Sequence, residues 1–138
     1  MAVQETYAQP REAMPEDQAE DFAHELISSR RVEGTAVYSE AGEKLGSIHS
    51  VMIGKRSGQV AYAVLSAGGW LGIGAHVHPL PWELLTYDVD RDGYVVAVDR
   101  ARLAAAPSMA LDATDRPIGR DYQEQVTSYW GTLPWWGL

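Results

Sequence analysis

Short apolar segments separated by glycine-containing turns recur through the middle of the chain and constrain its fold more than any other feature. Residues 59–66 carry apolar side chains on both faces, which is typical of a central, buried strand. The turn at 90–93 leads into the strand predicted at 94–98, and the two indicate a hairpin. Further strands are predicted at 32–38, 45–53, 76–82 and 84–88. Short strands at such close spacing predict a small all-β barrel or sandwich.

The segment 45–53 contains an irregularity. Its apolar residues Ile48, Val51 and Ile53 change parity midway, which predicts a β-bulge of the kind that lets small barrels curve. Short helices are expected to flank the strands. Asp99 is predicted to cap one at 100–106, and a second is predicted at 121–130.

The net charge of −8 is unevenly distributed along the chain. Residues 1–25 carry one basic and seven acidic groups, whereas residues 26–106 carry eight of each sign. An acidic arm repels phosphate backbones, so nucleic acid is disfavoured as a partner. The sequence predicts three parts: an acidic N-terminal arm at 1–25 that is either partly disordered or a short helix, a barrel domain at 26–110, and a C-terminal helix and Trp-rich tail at 111–138.

Several classes of protein are excluded by what the sequence lacks. With no cysteine, it cannot form disulfides, thiolate zinc sites or a thiol nucleophile. No apolar run approaches the roughly 20 residues of a membrane helix, and residues 1–25 lack the apolar core of a signal peptide. The glycine-rich stretch 68–74 lacks the spacing of a dinucleotide loop and is predicted to form a wide turn. We therefore expect a cytoplasmic protein without a membrane span.

Three groups of residues resemble the PRC-barrel domain family. They are Val32-x-Gly34-Thr35-x-Val37-Tyr38 with Gly42-Glu43-Lys44-Leu45-Gly46-x-Ile48, Gly69-x-Leu71-Gly72-Ile73-Gly74 with Pro79-Leu-Pro-Trp82, and Gly93-Tyr94-Val95-Val96 with Leu103 and Ala106-Pro107. The resemblance spans residues 26–110 and implies a compact, closed, six-stranded β-barrel. Such domains occur in the H subunit of photosynthetic reaction centres, in ribosome maturation factors and as free-standing bacterial proteins, the class that this chain resembles.

The resemblance also implies a type of function. Barrels of this family are usually scaffolds and docking modules, and they supply no catalytic residue to transfer. We therefore expect a non-enzymatic interaction module without a cofactor. An alternative by family analogy is an assembly or electron-transfer accessory factor of a photosynthetic or respiratory membrane complex.

Two histidines of the strand predicted at 76–82 are candidates for a ligand site. His76 and His78 lie two residues apart and would share one face of the strand, where His49 or Glu83 could join them around a metal ion or small ligand. The alternative is that both are polar strand residues without a ligand, and no metal site is expected.

The C-terminal segment carries the least ordinary chemistry of the sequence. Three of the five tryptophans lie in the last nine residues. The tail either folds over the barrel or docks on a second copy or another protein, since aromatic residues are enriched at interface hot spots. The predicted interaction residues are Tyr129, Trp130, Trp135 and Trp136. A protein partner or a homo-oligomer is therefore expected.

Overall fold

A computed structural model describes residues 25–67, 76–114 and 116–137. Its strands are β1 (Ala36–Ser39), β2 (Lys44–Ile53), β3 (Val60–Ala67), β4 (His76–Pro81), β5 (Thr86–Asp88), β6 (Gly93–Val96) and β7 (Met109–Ala110). Its α-helices are α1 (Ser29–Val32), α2 (Arg100–Ala104) and α3 (Arg120–Trp130), and 3-10 turns lie at Trp82–Leu84, Leu111–Ala113 and Trp135–Gly137. Of the predicted acidic arm only Glu25 is described, and the glycine-rich stretch 68–74 lies outside the described residues.

The strands form one sheet in the order β5-β6-β1-β2-β3-β4-β7. All neighbours are antiparallel except β1 and β6, which run parallel with Val37 opposite Tyr94. The prediction of a mainly β fold is confirmed, but the prediction of a closed six-stranded barrel is wrong. Within the described residues the sheet has seven strands, and its end strands β5 and β7 do not pair with each other.

The sequence of β4 explains why its ladder with β7 is short. Only His76 and Val77 pair with β7, although the strand continues along β3 as far as Pro81. Pro79 and Pro81 have no N–H to donate to a further strand, so the ladder on that side cannot extend past the prolines. Helix α3 packs against β4 instead.

The first predicted strand starts later than expected. The prediction placed it at 32–38, whereas Ser29–Val32 is one helical turn and β1 begins at Ala36. The reason is the Ser28 side chain, which accepts a hydrogen bond from the N–H of Arg30 at 3.3 Å and caps the turn.

Other local predictions are confirmed. The register of β2 against β3 shifts between Ile48 and Ser50, so the bulge leaves His49 unpaired at this point. The hairpin of β5 and β6 forms with Tyr87 opposite Tyr94. Asp99 caps α2 by accepting a hydrogen bond from the N–H of Arg102 at 2.8 Å.

The core lies between the inner face of the sheet and the three helices. Its buried members are Val32, Val37, Leu45, Ile48, Tyr62, Ala63, Leu65, Leu80, Tyr94, Val96, Leu103, Ala106, Val126 and Trp130. The central position predicted for β3 is confirmed, since five consecutive residues of this strand, from Tyr62 to Ser66, are buried. None of the described helices has the length and apolar character needed to cross a membrane.

Candidate functional site

The end of α3 directs the tail back towards the sheet. Gly131 adopts a left-handed conformation with φ 70° and ψ 29°. Its N–H donates to the carbonyl of Ser128 at 3.3 Å, and the N–H of Thr132 donates to that of Thr127 at 3.0 Å. These two bonds form a Schellman motif, which ends the helix and reverses the chain. The tail therefore returns to its own domain.

Trp135 is fixed to this domain by the side-chain amide of Gln123. The Oε1 atom of Gln123 accepts a hydrogen bond from the indole Nε1 of Trp135 at 2.6 Å and a longer one from the Tyr62 hydroxyl at 3.4 Å. Its Nε2 atom donates to the carbonyl of Ile118 at 2.9 Å. One helical side chain thus links the tail, β3 and the segment that precedes α3.

The turn between β2 and β3 supplies the surface on which Trp135 rests. A Cβ atom added to Gly54 would lie 3.3 Å from the Trp135 ring and 2.5 Å from the Ser57 hydroxyl. The turn is closed by the N–H of Gly58, which donates to the Gly54 carbonyl at 2.9 Å. A glycine at 54 therefore allows the ring to approach the turn closely.

Two clefts share Trp135 as a wall. The Ile118 cleft has a volume of about 650 Å³ and lies between the β2–β3 turn and the segment before α3. The Leu133 cleft has a volume of about 830 Å³ and extends towards Pro81, Leu133 and Trp136. Tyr62 also lines both clefts. We call the two clefts together with the Trp135 ring the tail groove.

Four cations and one described carboxylate, Glu83, line the tail groove. Lys55 and Arg116 line the Ile118 cleft, Arg120 lines the Leu133 cleft, and Arg56 lines both. Among the described residues, none of these four forms an ion pair. The guanidinium carbon of Arg120 lies 5.1 Å from the centre of the Trp136 ring, within the range of a cation–π contact. A protein with a net charge of −8 therefore gathers positive charge at one apolar groove.

Tyr62 forms part of the floor of the groove as a neutral group. Burial raises the pKa of its phenol to about 12. The hydroxyl therefore stays protonated at neutral pH and acts as a hydrogen-bond donor rather than a base.

The four aromatic residues predicted for interaction occupy two different places. Trp135 and Trp136 lie at the tail groove, with ring centres 6.0 Å apart in an edge-to-face arrangement. Trp130 is buried, and Tyr129 is half-buried beside it with its hydroxyl donating to the carbonyl of Arg102 at 2.5 Å. The guanidinium carbon of Arg102 lies 5.2 and 5.4 Å from the two ring centres. Tyr129 and Trp130 thus join α3 to α2.

The two histidine candidates lie on β4 in unequal surroundings. His76 is exposed, whereas His78 is 9% exposed and its Nδ1 atom lies 3.2 Å from the carbonyl oxygen of Pro107. Across the described ranges, no three histidine or carboxylate side chains are grouped closely enough to hold a metal ion. His49 lies at the bulge of β2, and Glu83 lies in the 3-10 turn after β4.

Sequence reasoning missed several residues that form the tail groove. Gln123 and Arg116 stand in stretches that look solvated, and no local pattern distinguishes them from surface residues. The adjacent cations Lys55 and Arg56 stand between the strands predicted at 45–53 and 59–66, where charged residues are ordinary. Their location in the hairpin that meets the tail could have identified them as groove residues. That inference requires knowing where the tail folds.

Comparison with known proteins places the domain in a family. No curated protein matches the chain in sequence. The family model for the PRC-barrel domain matches residues 24–103, which is more than half of the 138 residues and includes strands β1 to β6. The chain therefore belongs to the PRC-barrel domain family.

Proposed function

We propose that this chain is a non-enzymatic interaction module that docks an acidic protein surface, on another protein or on a second copy, at the tail groove. The observation that carries the proposal is a cluster of exposed apolar side chains around the groove. Leu133 is 68% exposed, Ile53 is 51% exposed and Trp135 is 38% exposed. Contiguous apolar surface with a polar edge is typical of docking sites.

The composition of the groove supports this proposal. Tryptophan and arginine are the residues most enriched among those that dominate binding energy, and the groove carries both. The cations Arg56 and Arg120 lie beside Trp135 and Trp136 in the Leu133 cleft. Such charges attract an acidic partner and orient it during encounter.

The titratable groups of the groove favour binding over catalysis. Among the described residues that line it they are four cations, Tyr62 and Glu83. Because the pKa of Tyr62 is raised to about 12, its hydroxyl does not act as a base at neutral pH. The Ser57 hydroxyl accepts a hydrogen bond from the N–H of Gln59 at 3.2 Å, which suits a residue that closes the turn.

A matched pair of variants tests the docking surface. Leu133→Asp changes the groove, and Val89→Asp is the control because Val89 is 56% exposed in the turn between β5 and β6. Immobilised wild-type and variant proteins would be exposed to an extract of the native host, and bound proteins quantified by mass spectrometry. The mass of each free protein would be measured by light scattering.

We expect wild type and Val89→Asp to capture the same partner, or to show the same self-associated mass. Leu133→Asp should bind that partner, or a second copy, about tenfold or more weakly. Identical bound proteins and identical monomeric masses for all three chains would contradict docking at the groove.

A further inference from the structure

We infer that the Ile118 cleft binds a small apolar organic anion, that is, a compound with an apolar body and one carboxylate. This site is one part of the tail groove, and the Leu133 cleft is the other part. Arg116 and Ile118 line only the Ile118 cleft, and Leu133 lines only the Leu133 cleft. The lining residues common to both clefts are Arg56, Ser57, Ala61, Tyr62 and Trp135.

The size and walls of the cleft fit the body of such a ligand. Its volume of about 650 Å³ lies inside the ~300–1,000 Å³ range of small-molecule sites. Its apolar lining includes Met52, Ile53, Ala61, Ile118 and Trp135. Ligand sites are typically apolar with a few polar groups that fix orientation.

The Gln123 amide at the floor of the cleft already has protein partners at both of its ends. The Gln123 amide accepts from Trp135 and Tyr62 and donates to the Ile118 carbonyl. Because both ends of this amide are already hydrogen-bonded, a polar head placed there would compete with these protein partners. An apolar body can occupy the floor without that cost.

The charged side chains at the edge of the cleft favour an anionic ligand. Lys55, Arg56 and Arg116 line it, no described carboxylate does, and none of the three cations forms an ion pair with a described residue. Several like charges that converge on an apolar cleft raise the local concentration of anions. A carboxylate at the edge would form charge-assisted hydrogen bonds with the arginines.

The test titrates the full chain with decanoate below its micelle concentration and follows tryptophan fluorescence. Decanol is the neutral control ligand, with the same chain and no charge. The double variant Lys55→Gln/Arg116→Gln removes two cations from the edge. Arg30→Gln is the matched control because Arg30 is an exposed arginine of α1 outside both clefts. Thermal melts would check that each variant folds.

We expect decanoate to bind wild type and Arg30→Gln equally, and to bind the double variant at least about tenfold more weakly. Decanol should bind all three chains alike and more weakly than decanoate binds wild type. Equal affinity of decanoate for all chains, or the same loss in Arg30→Gln, would overturn the site. Capture by vesicles of phosphatidylcholine and phosphatidylglycerol without binding of monomeric decanoate would also overturn it, in favour of a lipid surface.

The outcome can be told apart from that of the docking experiment. Leu133→Asp should lose protein capture yet keep decanoate affinity, because Leu133 does not line the Ile118 cleft. Failure of decanoate binding would leave the docking proposal intact, and failure of capture would leave the ligand site intact.

Discussion

Trp130 and Trp135 stand five residues apart in the same C-terminal segment and have opposite environments. Trp130 is 6% exposed and belongs to the core, whereas Trp135 is 38% exposed and forms a wall of two clefts. The Nε1 atom of Trp130 has no hydrogen-bond partner among the described residues, while that of Trp135 donates to Gln123 at 2.6 Å.

The difference shows that the two tryptophans of this segment contribute differently to the molecule. Trp130 contributes area removed from water, which stabilises the fold although its Nε1 makes no hydrogen bond to a described residue. Trp135 is oriented by a hydrogen bond but leaves much of its ring open to solvent. A ring that is held in place and left exposed loses little conformational entropy when a partner covers it, which is a property of good binding residues.

The largest effect is expected from removing the buried ring. Trp130→Ala should lower the free energy of unfolding by about 3–5 kcal/mol, because it leaves a cavity in the core between α3 and α2. Urea denaturation monitored by circular dichroism would measure it. Trp135→Ala is the matched control, with a loss of at most about 1.5 kcal/mol because its ring is partly exposed. If the two variants lost equal amounts of unfolding free energy, the contrast between a core Trp130 and a surface Trp135 would be contradicted.

A smaller effect is expected at Gly131, the first residue after Trp130. Gly131 has φ +70°, and a Cβ atom there meets nothing within 4 Å. Gly131→Ala should therefore lower the free energy of unfolding by about 1–2 kcal/mol through backbone strain alone. Gly131→Asn is the control, since asparagine tolerates this conformation and should lose less. Denaturation curves of equal midpoint for both variants would contradict the expected cost of the left-handed conformation at residue 131.

Much of the sheet could be predicted because its signals are local. The two apolar faces of the strand at 59–66 predicted its central position, and the parity change after Ile48 predicted the bulge. The parallel pairing of β1 with β6 could not be predicted, because Val37 and Tyr94 are distant in sequence and nothing in either strand selects the partner. The prediction of a closed barrel was wrong, although the prolines of β4 already limited the pairing of this strand on the side of β7.

The groove was only partly predictable for a related reason. An aromatic tail stands out in any sequence, so Trp135 and Trp136 were identified. Whether a tryptophan becomes core or surface depends on which side of the α3 end faces the sheet, and a single sequence does not reveal this. Gln123 and Arg116 acquire their importance only from contacts made across the fold.

The smallest effect concerns the hydrogen bond that orients Trp135. Trp135→Phe keeps an apolar ring but removes the N–H, and Gln123→Leu removes the acceptor. The double-mutant cycle of these two changes should give a coupling of about 1 kcal/mol in the free energy of unfolding, measured by urea denaturation. The hydroxyl of Tyr62 also loses its acceptor in Gln123→Leu, so a parallel cycle with Tyr62→Phe isolates that longer bond.

The coupling to Tyr62 should be weaker than the coupling to Trp135, because the bonds are 3.4 and 2.6 Å long respectively. Additive effects of Trp135→Phe and Gln123→Leu, within about 0.3 kcal/mol, would mean that Gln123 does not hold the ring. Trp135 would then differ from Trp130 by its exposure alone. A clear coupling would instead mean that the exposed ring is held in position before any partner arrives, which is the arrangement that a docking residue requires.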